Sequence, residues 1–364
     1  MGRGSAATDS SATDETDVSA SWDADNQAWW DWYVGLAENA DTGGEARSLA
    51  RAVLLRPDPA TTSQITASEL AEELGTPYPL SDAVIEQFRV RSYVKLKNVL
   101  SPRAVSALRR EIVSVLEATF QVALDNDAGL ADGDGPSAGR RFYSAEMAWL
   151  NNPILRLFVL SPRIAKICAD LLGVEAVRLY HDNLLSKEPG CGRTPWHYDD
   201  HHFPLATNEV VTAWIAAQAI PTQMGPLAFA HGIETWRRVA DVPFSKADTS
   251  YDRLVAEIFA RDGVLVDDGP FDVGEVSFHH NLNFHTAGRN LTPFSRCALA
   301  NTFYADGARV VEAPTMVSGD WRKFLPGVEP GGRAASPLNP ICWPAVEERG
   351  HPPVNKDPEP TDDR

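Results

Sequence analysis

Cysteine is scarce in this chain of 364 residues: there are four, Cys168, Cys191, Cys297 and Cys342, with no CxxC pair among them. That spacing provides neither a disulfide framework nor a thiolate zinc site. Long apolar runs are also missing. With no stretch of about 18 consecutive apolar residues, no membrane span is expected. Basic residues are in deficit, 33 Lys and Arg against 50 Asp and Glu, for a formal charge of -17. Nucleic acid is therefore not an expected partner, because phosphate recognition needs a basic patch. Residues 1–26 lack the basic start and apolar core of a secretory signal, so the expected location is cytoplasmic.

What is present is the composition of a globular protein, 43% hydrophobic and 23% charged. Length alone allows one large domain with appendages or two domains. Residues 1–26 are small, polar and acidic, and are read as a disordered tail. Residues 27–79 read as a helical extension, with Trp29, Trp30, Trp32, Tyr33 and Leu36 ahead of a Gly43-Gly44 break. Those indoles suit an extra layer on the main domain, or else a lid or dimer contact.

From residue 80 a helix, a short strand and a longer helix are expected. Ser81 and Asp82 can cap the first helix, and Ser101-Pro102 opens the second. Val105, Leu108, Ile112, Val115 and Leu116 form its apolar stripe. Residues 125–140 are a Gly/Asp loop, and Ser144 to Leu172 reads as helical. Beyond Gly173, AVRLYHDNLLSK, EVVTAWIAAQAI, GEVSFHH and SRCALANTFY alternate between Gly/Pro breaks, the pattern of a β-sandwich or barrel. Residues 308–345 are expected to be an irregular C-terminal extension packed on the core, and 346–364 a flexible tail.

Seven of the nine histidines fall between His197 and His285. In TPWHYDD, His197 and Asp199 share one face if the segment is a strand, since alternate side chains point the same way. Two imidazoles and a carboxylate on one face of an octahedral ion leave open positions, as in non-haem Fe(II) oxygenases. The third ligand must come from a distant strand, and His285 in NLNFHTAGRN is the best candidate. Asp200 would point to the opposite face. Arg296 follows 11 residues later and shares a strand face with Ala298 and Ala300. A guanidinium facing a barrel interior is costly unless it meets an anion. A dicarboxylate that chelates iron at one end and meets Arg296 at the other fits this geometry; the alternative is a pair with a protein carboxylate.

With those residues in view, the segment 80–307, roughly 228 of 364 residues, resembles the phytanoyl-CoA dioxygenase family of Fe(II)/2-oxoglutarate-dependent oxygenases. LSDAVIEQFRVRSYVKLKNVLS resembles the family's N-terminal helix and strand, LYHDNLLSKEPGCGRTPWHYDDHHFPL its first metal segment and HTAGRNLTPFSRCAL its second. The resemblance implies a mainly β core, a double-stranded β-helix (jelly-roll, cupin-like) with flanking α-helices. It implies iron ligation by His197, Asp199 and His285, and a 2-oxoglutarate carboxylate on Arg296. Trp214 matches a tryptophan near the cosubstrate, and Thr286 is a candidate hydroxyl for its carboxylate, although some relatives place that hydroxyl one residue later, where Ala287 stands here. Asn183 is a further cosubstrate candidate on the strand before the first metal segment; Lys187 on the same strand is read as solvated or structural. Asn290 fits the family pattern or shapes the turn. His201, His202, His279 and His280 are read as groups behind the ligands or on the substrate side. The sequence departs from the family where a Pro-Gly-Ser-His turn often follows Gly-Pro-Leu: Ala230-His231-Gly232-Ile233 stands there instead.

The expected function is that of a dioxygenase using Fe(II), 2-oxoglutarate and O2, with no need of ascorbate inferable, to hydroxylate an unactivated C–H bond of a small molecule in natural-product biosynthesis. Related halogenases carry a small residue at the position of Asp199; a carboxylate there favours oxygen transfer. Desaturation, epoxidation or ring rearrangement are alternatives with the same oxidant. A non-catalytic metal-binding scaffold or sensor and a cupin-type isomerase or hydrolase are alternatives of other classes. HHFPL and the loops 125–140 and 231–270 are expected to line the entrance. The oligomeric state, monomer or homodimer, is left open.

Overall fold

The structure, a computed structural model, describes residues 64–124, 142–242, 250–314 and 321–344. The acidic tail, the Trp-rich stretch, the 125–140 loop and the tail from 346 lie outside the described residues.

The described chain opens with α1 (Ala67–Gly75), started by a capping box in which Thr66 and Glu69 satisfy each other's backbone N–H groups. Next come α2 (Asp82–Arg91), β1 (Tyr93–Leu96) and α3 (Pro102–Phe120), in the expected order. Ser101 caps α3 by accepting from Ala104 N at 3.2 Å, with Pro102 in the first turn. Ser81 occupies the cap position of α2 but makes no side-chain cap bond. Val105, Leu108, Ile112 and Leu116 are buried as the stripe predicts, and Val115 is half-buried.

The expected helix from Ser144 is not formed at its start. Phe142–Glu146 is a strand, β2, paired antiparallel with β3 (Val177–Lys187). After a single 3-10 turn at Ala148–Leu150, α-helix resumes at α4 (Pro153–Val159) and α5 (Pro162–Leu172), capped by Asn152 and Ser161. Each proline disfavours helical backbone in the residue before it, so the stretch breaks twice. Phe142 and Tyr143 suit a pleated, half-buried surface, and a long partner strand decides in favour of pairing.

The remaining strands are β4 (Thr194–His197), β5 (Val210–Ala216), β6 (Leu227–Ala230), β7 (Val266–Asp267), β8 (Val276–His280), β9 (His285–Ala287), β10 (Arg296–Ala305) and β11 (Ile341–Trp343), with α6 (Ser250–Asp262) between β6 and β7. They form two antiparallel sheets. The larger runs β1-β8-β5-β10-β3-β11 with β2 beside β3, and the smaller runs β4-β9-β6-β7. This is the expected double-stranded β-helix with helices outside it. β11 lies in the stretch expected to be irregular, and it pairs with the start of β3.

Alternation along β10 separates two cores. Cys297, Leu299 and Phe303 join the cluster that includes Leu108, Ile112 and Leu116 of α3. Each such side chain contributes about 1.5–3 kcal/mol on burial, so the helical layer secures the outer face of the sheet. Ala298 and Ala300 belong to an inner cluster with Trp214, Leu185 and Leu227. At the other end of the barrel, Trp321, Phe324 and Leu325 pack against Tyr180, Phe203 and Tyr304. All four cysteines are buried free thiols. Among the described residues no helix is long and apolar enough to cross a membrane.

Candidate active site

His197 ends β4 and His285 begins β9, and the two are direct cross-strand partners with ring centres 4.1 Å apart. Asp199 joins them by a route the sequence did not suggest. The strand stops at His197, and Asp199 has helical backbone (φ -88, ψ -12) with its N–H donated to Asn281 O. This turn brings Asp199 Oδ1 to 3.6 Å from His197 Nε2 and 3.8 Å from His285 Nε2. The three donor atoms all lie within 4.8 Å of one another. Asp200 is turned elsewhere, accepting from Asn281 Nδ2 at 2.7 Å.

Hydrogen bonds at the far side of both rings explain what this cluster is suited to hold. His197 Nδ1 lies 2.9 Å from Pro195 O, and His285 Nδ1 lies 3.0 Å from Asn283 O. A carbonyl only accepts, so each Nδ1 carries the proton and each Nε2 presents a lone pair. Burial pushes both imidazoles below their usual pKa, His285 furthest, so they are neutral ligands. Two nitrogen lone pairs and a carboxylate oxygen converge with no hydrogen between them. Such a set fits a cation of Fe(II) type and is unfavourable without one.

A cavity leads away from the cluster along the inner face of β10. At its far end Arg296 is 2% exposed, donates from Nη1 to Gly225 O at 2.6 Å, and has Nε buried with no partner. No carboxylate among the described residues pairs with it, which removes the alternative of an internal ion pair. Trp214 lines the same space, its ring 5.3 Å from the guanidinium. Asn183 also lines it; its carbonyl is taken by Ser144 Oγ at 2.8 Å, which leaves the amide N–H groups toward the cavity. A buried guanidinium that lines a cavity and has donor capacity to spare suits the distal carboxylate of a diacid.

Thr286 does not join the site. Strand alternation in β9 turns His285 and Ala287 to the cavity and Thr286 away, where its hydroxyl donates to Thr194 O. The threonines that do line the cavity are Thr194, Thr212 and Thr302. Lys187 is structural and not solvated: it is 1% exposed and donates to Gly192 O, Thr194 Oγ1 and Gly288 O at 2.9, 3.1 and 2.8 Å. Asn290 shapes the turn, donating to Lys187 O and Phe294 O and accepting from Thr292. His231 bonds Tyr93 Oη at 2.8 Å, away from the cavity. Of the expected entrance, His202 and Phe203 line the cavity, and no described residue of 231–270 does. His201 and His280 are likewise outside its lining.

Sequence reasoning missed Glu146, His181 and Phe324, which line the opposite end. His181 had a signal, since it shares the inward face of β3 with Asn183. Phe324 had none, because it reaches the barrel from a segment without regular strands.

Three comparisons place this geometry among known proteins. The family profile described as phytanoyl-CoA dioxygenase (PhyH) matches residues 88–298. A protein described as a probable alpha-ketoglutarate-dependent hypophosphite dioxygenase, from Stutzerimonas stutzeri, is 21% identical over 217 residues, 57% of this chain and 72% of its own length. Among solved structures, the non-haem alpha-ketoglutarate-dependent carbocyclase SnoK from nogalamycin biosynthesis superposes with a TM-score of 0.57 at 24% identity, over 73% of this chain and 99% of its own. EctD from S. alaskensis, solved with 2-oxoglutarate and 5-hydroxyectoine, gives 0.53 at 19% identity, over 78% and 94%. The structural likenesses carry the fold alone, whereas the profile spans more than half of the sequence. The chain belongs to the phytanoyl-CoA dioxygenase family of Fe(II)- and 2-oxoglutarate-dependent oxygenases.

Proposed function

We propose that this oxygenase hydroxylates an unactivated C–H bond of a small, largely neutral molecule in the formation of a natural product. The observation that carries the reading is a three-donor cluster and an unpartnered buried guanidinium at two points of one cavity. His197, Asp199 and His285 would hold the iron, and Arg296 would take the distal carboxylate of 2-oxoglutarate, with Trp214 and Asn183 beside it. When bound, iron with 2-oxoglutarate and O2 supplies the oxidant for the C–H bond, with succinate and CO2 as coproducts. The chain's own part is to orient both molecules and keep water out.

The substrate end supports a neutral molecule. His181, His202, Phe203 and Phe324 line it, and burial pushes His181 below its usual pKa and His202 down to about 4, so both rings are uncharged. Its carboxylate, Glu146, is paired with Lys323 at 2.8 Å. Apart from Arg296, no Lys or Arg among the described residues lines the cavity, which favours an uncharged guest over a phosphate-bearing one. The nogalamycin proteins of the same fold support a natural-product setting.

Anaerobic addition of Fe(II) and then 2-oxoglutarate should produce a visible charge-transfer band, and aerobic turnover should release succinate. A colourless mixture from folded protein would overturn the reading. Mass shifts across a substrate panel separate hydroxylation (+16) from desaturation (−2), and a scaffold would release no succinate at all.

A further inference from the structure

The reading of the iron site leaves one buried imidazole without a task. His279, on β8, is 2% exposed, with its ring centre 4.6 Å from that of His285 and 5.6 Å from that of Phe229. Its Nε2 lies 3.4 Å from Asp199 Oδ2. The other oxygen, Oδ1, is the one that faces His197 and His285. The two oxygens of one carboxylate are thus divided between different neighbours.

The proton on His279 can be placed from what surrounds the ring. Nδ1 is buried and meets no hydrogen-bond partner. An N–H left bare in that position would lose its hydration with no return, a larger penalty than a bare lone pair. The proton therefore sits on Nε2, the nitrogen 3.4 Å from Asp199 Oδ2. The backbone of His279 is fixed on both sides, opposite Tyr93 of β1 and Thr212 of β5, so the ring is presented by a doubly paired strand and not by a loop.

We propose that His279 is a positioning residue, which holds Asp199 Oδ2 through Nε2–H so that Asp199 offers Oδ1 alone to the metal. The proposal rests on the iron-site reading above. Its consequence is a count of coordination positions. Two imidazoles and one carboxylate oxygen would take three positions on an ion of Fe(II) type and would leave the others for cosubstrates. A carboxylate free to swing and bind through both oxygens would occupy one of them.

The test compares wild type, His279→Phe and His279→Gln as full-length protein, titrated anaerobically with Co(II) and Fe(II) in the absence of 2-oxoglutarate. Phe keeps the ring against Phe229 and removes the donor, whereas Gln keeps an N–H donor. His279→Phe should lower metal affinity by about 10- to 100-fold, the range seen when a partner of a metal ligand is removed. It should also alter the ligand-field bands of bound Co(II), and His279→Gln should recover both in part. Thermal unfolding of the metal-free variants checks that the fold persists, and His279→Leu replaces the Phe variant if that one does not fold. Unchanged affinity and an unchanged Co(II) spectrum in the donor-free variant overturn the proposal. So does an equal loss in the Phe and Gln variants, which assigns the effect to packing. Failure of the wild type to bind either metal overturns the iron-site reading instead.

Discussion

The Arg296 guanidinium lies 5.3 Å from the centre of the Trp214 indole, with Nη1 on the Gly225 carbonyl and Nε bare. Burial pushes the guanidinium down to about 10, so it remains a cation at neutral pH. One edge is anchored to backbone, the indole lies within cation–π range, and unused donor capacity faces the cavity. The arrangement is preorganised for a planar carboxylate.

Replacing Arg296 should therefore separate cosubstrate from metal. Loss of a charge-assisted pair costs about 2 kcal/mol, or about thirtyfold in affinity. Arg296→Ala should weaken 2-oxoglutarate binding by at least that factor while Fe(II) binding without cosubstrate stays within about threefold. Arg296→Lys should recover little, because a point charge lacks the two-pronged fork. Calorimetric titration of each ligand checks this; equal 2-oxoglutarate affinity in the Ala variant would count against the assignment.

Gly225 supports that clamp and has no tolerance for a side chain. Its φ is +72, and an added Cβ would stand 2.3 Å from Gly288 O and 2.8 Å from Arg289 O. Both atoms are backbone, so the loop must move, and the carbonyl that anchors Arg296 moves with it. Gly225→Ala should cost about 1–3 kcal/mol of stability and raise the KM for 2-oxoglutarate. Gly288→Ala, whose Cβ meets Gly225 Cα at 3.1 Å, is the milder control. Thermal melts and initial rates on both variants give the comparison.

The site was legible where spacing and alternation alone carried the information. His285 and Arg296 lie on strands whose period of two is visible in the sequence, and Ala298 and Ala300 follow from the same rule; β4 departs from it, since Thr194 and His197 both face the cavity across a register shift. That rule also places Thr286 outside the cavity; the resemblance put it inside, and the alternation from His285 was the better guide. Asp199 lies beside His197 and His285 as expected but by a different geometry, because a turn held by Asn281 O does what a strand was expected to do. Lys187 and Phe324 were not legible, since one depends on three acceptors from separate segments and the other on a chain that crosses the barrel mouth.

Asp182 gives the fold a pH dependence independent of the metal. It is wholly buried on the outer face of β3, with Oδ2 accepting from Trp149 N at 3.3 Å and Oδ1 bare. Its cross-strand neighbour Asn301 also has a bare Oδ1. Burial raises the carboxyl to about 7. The folded state then binds a proton that the unfolded chain has released, so this contribution is complete below about pH 4 and is lost as pH rises to about 7. The ceiling is of the order of 4 kcal/mol. Asp182→Asn carries no charge at any pH, so its melting temperature should exceed that of wild type by a margin that widens from pH 5 to pH 8. A gap that stays constant across that range would show that Asp182 is ionised in the fold.

Ala300 tests whether the space between metal and guanidinium is the cosubstrate's. It lies opposite Trp214 on one side and Asn183 on the other, and it lines the cavity two positions beyond Ala298. Ala300→Leu adds three carbons on the inner face and leaves the outer face, with Leu299 and its helical partners, untouched. The side chain enters open space, so stability should change by less than about 1.5 kcal/mol. Fe(II) binding should be retained, because no ligand moves. The charge-transfer band with 2-oxoglutarate should require at least about tenfold more cosubstrate, which corresponds to about 1.4 kcal/mol. A Leu variant that takes up 2-oxoglutarate as wild type does would place the keto acid elsewhere, and Arg296 would need a different guest.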